Sequence, residues 1–148
     1  MSNTDAANFD IVFPARSGCI CLDLQRAARA VARRFDTVFR PLDLTNGQFS
    51  LLMSLKHRGP SPLGRIATTL AMDRTTLTAA LKPLQRRGLV TVTVDPADHR
   101  SHQLSLTEAG RDLLAAALPL WNREHTAIDR LFGEHGPGRL HADLRALA

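Results

Sequence analysis

A mainly α-helical fold carrying one small β-hairpin, an α+β arrangement, is predicted by three features of this sequence. Apolar residues recur at helical spacing over most of the chain, two of the helices so defined are separated by only a few residues, and one pair of alternating, β-branched runs follows the second of them. With 148 residues, 44% of them hydrophobic, the chain has enough apolar material for a real core in one domain.

The stretch 22–39 places Leu24, Ala28, Val31, Ala32, Phe35 and Val38 at helical spacings, with Arg26, Arg29, Arg33 and Arg34 between them, and it ends before Pro41. Thr45 followed by Gln48 is a capping-box start for a second helix bearing Phe49, Leu52, Met53 and Leu55, which Gly59 and Pro60 stop. Ser61 and Pro62 read as an N-cap with proline in the first turn, opening a short helix that turns Ile66, Ala67 and Leu70 inward. Asp73 caps the next helix, which runs to about Arg87 and ends on Gly88. Pro83 removes the bond to the Ala79 carbonyl and predicts a mild kink, not a break. So tight a junction between two helices suggests a helix-turn-helix.

Residues 89–94 and 102–106 alternate as the two strands of a hairpin whose turn is 95–101, a wing directly after the second helix of the pair. Thr107 then caps a long helix with Glu108 and Asp112 in its first turns. Its apolar positions are Leu113, Leu114, Leu118, Trp121, Ile128, Leu131 and Phe132, and Pro119 is expected to bend it. After a glycine-rich break at 133–138, residues 139–148 form a final helix with Leu140, Leu144 and Leu147 on one stripe.

The charge is concentrated. From Lys56 to His102 there are eight basic and three acidic residues, so this third of the chain carries the entire net charge of +5. A solvated basic face is one explanation; a surface facing a polyanion is the better one. On the helix after Asp73, Leu77, Leu81 and Leu84 share a narrow arc that must face the core. Thr75, Ala79, Lys82 and Arg86 then lie opposite, flanked by Arg74 and Thr78. Arginine donates bidentately to guanine, and threonine bonds a base edge or touches the thymine methyl. Residues near the N-terminus of a recognition helix penetrate deepest, so Arg74, Thr75, Thr76 and Thr78 are the base-contact candidates. Lys82 and Arg86 suit phosphate, and Arg65 completes the set on the preceding helix. Arg100, at the hairpin tip, suits a narrow minor groove, with Asp98 to brace it; the alternative is a plain surface ion pair.

These residues resemble the MarR family of winged helix-turn-helix transcription regulators. The segment DPADHRSHQLSLTEAG at 95–110 is similar to the family's Asp-x-Arg turn, short strand and Leu-Thr-x-x-Gly helix start, and LTNGQFSLL at 44–52 and LQRRGLV at 84–90 are similar to two more of its stretches. The resemblance spans about residues 20–135. It implies a DNA-binding part at about 42–107, with about 10–41 and 108–148 forming the helical dimerisation layer of an obligate homodimer. The apolar stripes of the first, fifth and sixth helices agree, since a lone chain of this size has little core left for them to cover. Two recognition helices then meet successive major grooves on a near-palindromic site. The resemblance further implies a repressor relieved by a small, commonly aromatic, ligand or by thiol oxidation.

Two sensing devices are open. Cys19 and Cys21 lie in SGCICL at 17–22, similar to members with a thiol at the start of the first helix, some of which answer organic peroxides; those use tyrosines, which this chain lacks. Arg16 and a helix N-terminus make Cys19 the more reactive candidate, and a pair of inert buried thiols is the alternative. The two point to different sides of a helix and are not expected to bond to each other there. The other device is an effector pocket involving Phe39, Phe49, Met53 and Trp121, residue types and spacings that serve a core equally well.

No metal site or cofactor is expected: His99 and His102 with Asp98 lack further ligands nearby, and His57, His125, His135 and His141 look scattered. No nucleophile elbow, phosphate loop or zincin motif is present, so an enzyme is not expected. The acidic, polar start and the lack of a long apolar run predict a cytoplasmic protein without membrane contact. The reading is a sequence-specific regulator of double-stranded DNA. Its rivals are a nonspecific architectural DNA binder, which uses the same basic surface, and an interaction module that has lost DNA binding.

Overall fold

The computed structural model describes residues 18–57 and 59–147, apart from the side chains of 134 and 135. Arg16, Arg58 and the segment 10–17 assigned to the dimerisation layer lie outside them. The chain divides into two compact units, residues 1–32 and 33–148. Helix α1 (Ile20–Phe39) begins in the first, where Ile20 is 73% exposed and Leu22, Leu24 and Val31 are exposed as well. Cys19 and Cys21 are both exposed in the single chain.

In the second unit, the end of α1 buries Phe35 and Phe39 and a 3-10 turn (Arg40–Leu42) follows. Next come α2 (Asn46–Ser54), strand β1 (Ser61–Pro62), α3 (Leu63–Thr69) and α4 (Arg74–Arg86). Strands β2 (Val90–Val94) and β3 (His102–Leu106) form the hairpin; α5 (Glu108–Asp129), a 3-10 stretch (Arg130–His135) and α6 (Gly136–Leu147) complete the chain. The fold is therefore mainly helical with a small antiparallel sheet.

The helix starts are set by short-range side-chain bonds. The Thr45 hydroxyl accepts from the Gln48 amide while the Gln48 side chain accepts from the Thr45 amide, a complete capping box. Asp73 accepts from the Thr76 amide and Thr107 from the Gly110 amide. Helix α4 runs unbroken through Pro83, and Gly88, at φ 68°, takes the left-handed conformation that ends it. Helix α5 is likewise continuous through Pro119.

One start differs from expectation. Ser61 and Pro62 do not open α3; they pair antiparallel with Leu104 and Gln103, making the wing sheet three-stranded in the order β1-β3-β2. The ladder to β3 takes the backbone that a helix would have used, and proline is tolerated because β1 is an edge strand. In β2 and β3, Val90 lies opposite Leu106 and Val92 opposite Leu104. At the other end, Gly133 has a non-helical backbone and α6 begins three residues earlier than the stripe implies.

One hydrophobic core joins the end of α1, α2, α3, α4, the hairpin and α5. Leu51 and Leu52 of α2, Ile66 of α3, Leu77, Leu81 and Leu84 of α4, Leu104 of β3 and Ala117 of α5 are all buried in it. Alongside runs a file of rings, Phe35–Phe39–Phe49–Trp121–His125–His141, with successive centroids 5.9, 4.7, 6.2, 4.6 and 5.7 Å apart. At the junction of wing and α5, the Thr107 hydroxyl donates to the Gly88 carbonyl at 2.6 Å and the Thr107 amide to the Leu89 carbonyl at 3.1 Å. The turn after α4 and the first turn of α5 are thereby tied together.

Candidate nucleic-acid interface

Helix α4 is held by one face. Leu77, Leu81 and Leu84 are almost wholly buried, while Arg74, Thr75, Thr78, Ala79 and Lys82 line one shallow concavity of about 320 Å³ on the opposite side. This is the division that the helical arc predicts. Arg86 is exposed one turn further on, and Arg65 is exposed on α3. The neighbouring Arg87 serves the fold instead, because its guanidinium donates to the carbonyls of Asp43 and Leu42 and anchors the end of α4 to the turn before α2.

The four base-contact candidates are not equivalent. The Thr76 hydroxyl donates to the Asp73 carboxylate at 2.7 Å, so its proton is committed to the cap. That bond and the Thr76 amide hold the Asp73 carboxyl below its usual range, keeping the cap charged at the positive end of α4. The Thr78 hydroxyl donates to the Arg74 carbonyl at 2.7 Å and keeps only its acceptor capacity for a base. Arg74 itself rests against α3: a Cβ added to Gly64 would lie 3.2 Å from its Nη2. The absence of a side chain at Gly64 therefore leaves room for the guanidinium, a requirement that nothing in the local sequence announces.

In the wing turn, Asp98 acts differently from expectation. Its Oδ1 accepts from the backbone amide of Arg100 at 3.0 Å, and among the described residues no ion pair joins the two side chains. Asp98 shapes the turn and leaves the exposed Arg100 guanidinium unneutralised. Asp95 does the same at the turn's base, accepting from the Ala97 amide at 2.9 Å and from the Gln103 side chain at 2.7 Å. The Ala97 amide and the Gln103 side chain lower its pKa.

The candidate sensing residues separate. Phe39 and Phe49 are core residues within the file of rings, and Trp121 is half-buried beside them. Met53 borders a cavity of about 400 Å³ also lined by Ser50, Lys56, His57, Arg65 and Leu70. A second cavity of about 460 Å³, flanked by Lys56, His57 and Arg111, lies between the end of α2 and the start of α5, where the sequence gives no sign of one. The histidines are less scattered than their spacing suggests: His125 and His141 meet, with Asp129 beside them. The side chain of His135 lies outside the described ones. Among the described residues, no helix is long and apolar enough to cross a membrane.

Comparison with known proteins agrees with this geometry. Residues 44–102 match the MarR family model. The transcriptional repressor NicR of Pseudomonas putida is 37% identical over 76 residues, which are 51% of this chain and 48% of NicR, so the match spans about half of that relative. The M. tuberculosis transcriptional regulator MosR, solved in complex with DNA, superposes with a TM-score of 0.80 at 34% identity, covering 88% of this chain and 93% of that one. The repressor CouR bound to a 23-mer DNA duplex gives 0.71 at 37%, covering 87% and 89%; CouR has also been solved bound to p-coumaroyl-CoA. With its recognition helix, its wing and these relatives, the chain belongs to the MarR family of winged-helix transcription regulators, which are DNA-binding proteins and not enzymes.

Proposed function

We propose that this chain is a sequence-specific repressor that binds double-stranded DNA as a homodimer on a near-palindromic site. Residues 42–107 form the DNA-binding part and the flanking helices the dimerisation layer. Two copies of α4 enter successive major grooves about 34–36 Å apart, and each Arg100 enters the adjacent minor groove. The observation that carries this reading is the polar concavity of Arg74, Thr75, Thr78, Ala79 and Lys82 on a helix whose other face is locked in the core. Exposed apolar residues support the dimer: Leu131 and Leu147 are each 68% exposed, and Phe132 and Leu144 are exposed too, a cost in water that a second copy removes.

The test is a titration over salt with an operator selected from random duplexes. A specific regulator keeps a large affinity ratio between operator and random DNA; equal affinities point instead to the architectural binder. Arg74→Ala is expected to cost about 1–3 kcal/mol on operator and little on random duplex. Lys82→Ala is expected to weaken both and flatten the salt slope. Equal losses for Arg74→Ala on both duplexes remove it from base readout, and an operator-only loss for Lys82→Ala removes it from phosphate. Sedimentation of the free protein as a stable monomer contradicts the dimer.

Release by a small aromatic ligand is the second part of the proposal. The cavity beside Met53 supports it, being of a size that suits such a ligand and sharing Arg65 with the DNA-binding set. The exposure of Cys19 supports oxidant control as a parallel route. Mild peroxide is then expected to lower operator affinity of the native chain and to leave the Cys19→Ser variant unaffected.

A further inference from the structure

At the end of the file of rings, three side chains with metal-ligand chemistry converge. His125 and Asp129 stand one turn apart on α5, with His125 Nδ1 3.2 Å from Asp129 Oδ2, and His141 of α6 stacks on His125 with ring centroids 5.7 Å apart and planes at 15°. One ligand atom from each of the three lies within 4.8 Å of the others. Ligand atoms around a tetrahedral ion are about 3.4 Å apart when metal–ligand bonds are about 2.0–2.1 Å, so small rotations of these side chains close the set. His125 and Asp129 are 30% and 32% exposed, which admits an ion and leaves a position for water. Trp121, its ring 4.6 Å from that of His125, forms an apolar wall on the other side.

We propose that His125, Asp129 and His141 bind a divalent transition-metal ion of the zinc class, with water as the fourth ligand. Two imidazoles and one carboxylate select zinc-like ions over magnesium or calcium, which prefer all-oxygen sites. The ion bridges α5 and α6 across the connection at Gly133 and Gly136, both in the left-handed half of backbone space. It thereby fixes a helix that otherwise joins α5 through a kink. The ion site stands whether or not the chain binds DNA.

The competing explanation is an ordinary histidine–carboxylate pair one helical turn apart, with a stacked neighbour and no ion. Calorimetric titration of the full chain with zinc chloride distinguishes them. One saturable site per chain is expected, which His125→Ala, His141→Ala and Asp129→Asn each weaken by at least about a hundredfold, the upper end of what loss of an outer-shell partner costs. His102→Ala, in the wing, is expected to bind as the native chain does. Cobalt(II) at the native site is expected to give tetrahedral d–d absorption without a thiolate charge-transfer band, which excludes Cys19 and Cys21 as ligands. Since a histidine variant can disturb packing, NMR of the native protein supplies a readout free of substitution: zinc is expected to shift the imidazole signals of His125 and His141 together. No saturable site, a thiolate band, unmoved imidazole signals, or loss of binding in His102→Ala with retention in His141→Ala overturns the proposal.

Discussion

Gly110→Ala is expected to lower the stability of the winged domain by at least about 3 kcal/mol, the upper end of ordinary overpacking, and to abolish DNA binding with it. A Cβ at this position falls well inside van der Waals contact with the Leu89 carbonyl oxygen and 3.3 Å from Leu106 Cδ2. The obstacle is backbone, and it is backbone already held: the same Leu89 carbonyl accepts from the Thr107 amide. No rotamer change relieves the clash, so either α5 lifts away from the wing or the Thr107 bond breaks. Urea unfolding followed by circular dichroism reads the effect as a fall in midpoint. Gly47→Ala is the matched control, since a Cβ there meets nothing within 4 Å; in a helix it is expected to be neutral or to stabilise by up to about 1 kcal/mol. Equal midpoints for the two variants contradict the packing argument.

Phe39→Ala is the second substitution of large effect, expected to cost about 3–5 kcal/mol by removing a fully buried ring. Phe39 is 0% exposed and stacks between Phe35 and Phe49, 5.9 and 4.7 Å away. Its loss leaves a cavity at the join of α1 and α2 and opens the file of rings in its middle. The cost is expected in protein free of any small molecule. An unchanged unfolding midpoint combined with a lost response to aromatic ligands returns Phe39 to the effector pocket and removes it from the core.

What is legible in the sequence is what its residues decide locally. Thr45 with Gln48, Asp73 with Thr76 and Thr107 with Gly110 are bonds across three residues, so spacing alone locates three helix starts. Leu77, Leu81 and Leu84 show their face through the helical repeat, and the polar character of the opposite face follows without any knowledge of contacts. Ser61 and Pro62 mislead because their partners, Leu104 and Gln103, lie some forty residues on, and a proline after a serine satisfies a helix start equally well. Asp98 invites pairing with the guanidinium of Arg100 by charge alone; the shorter reach to the amide wins, as aspartate in turns commonly does. The meeting of His125 with His141 requires the fold of α6 back onto α5, although the four-residue step from His125 to Asp129 is visible in the chain. Gly64 carries no local signal, because its reason is the Arg74 side chain on another helix.

The tie between Thr107 and the carbonyls of Gly88 and Leu89 leaves no slack between the long helix and the reading head. Helix α5 has 22 residues, a rod of about 33 Å at about 1.5 Å per residue. Pivoting such a rod by about 5° at its far end carries its near end through about 3 Å, the length of a hydrogen bond. A displacement of that size at the near end is passed to the turn after α4 through these two bonds and is not absorbed between them.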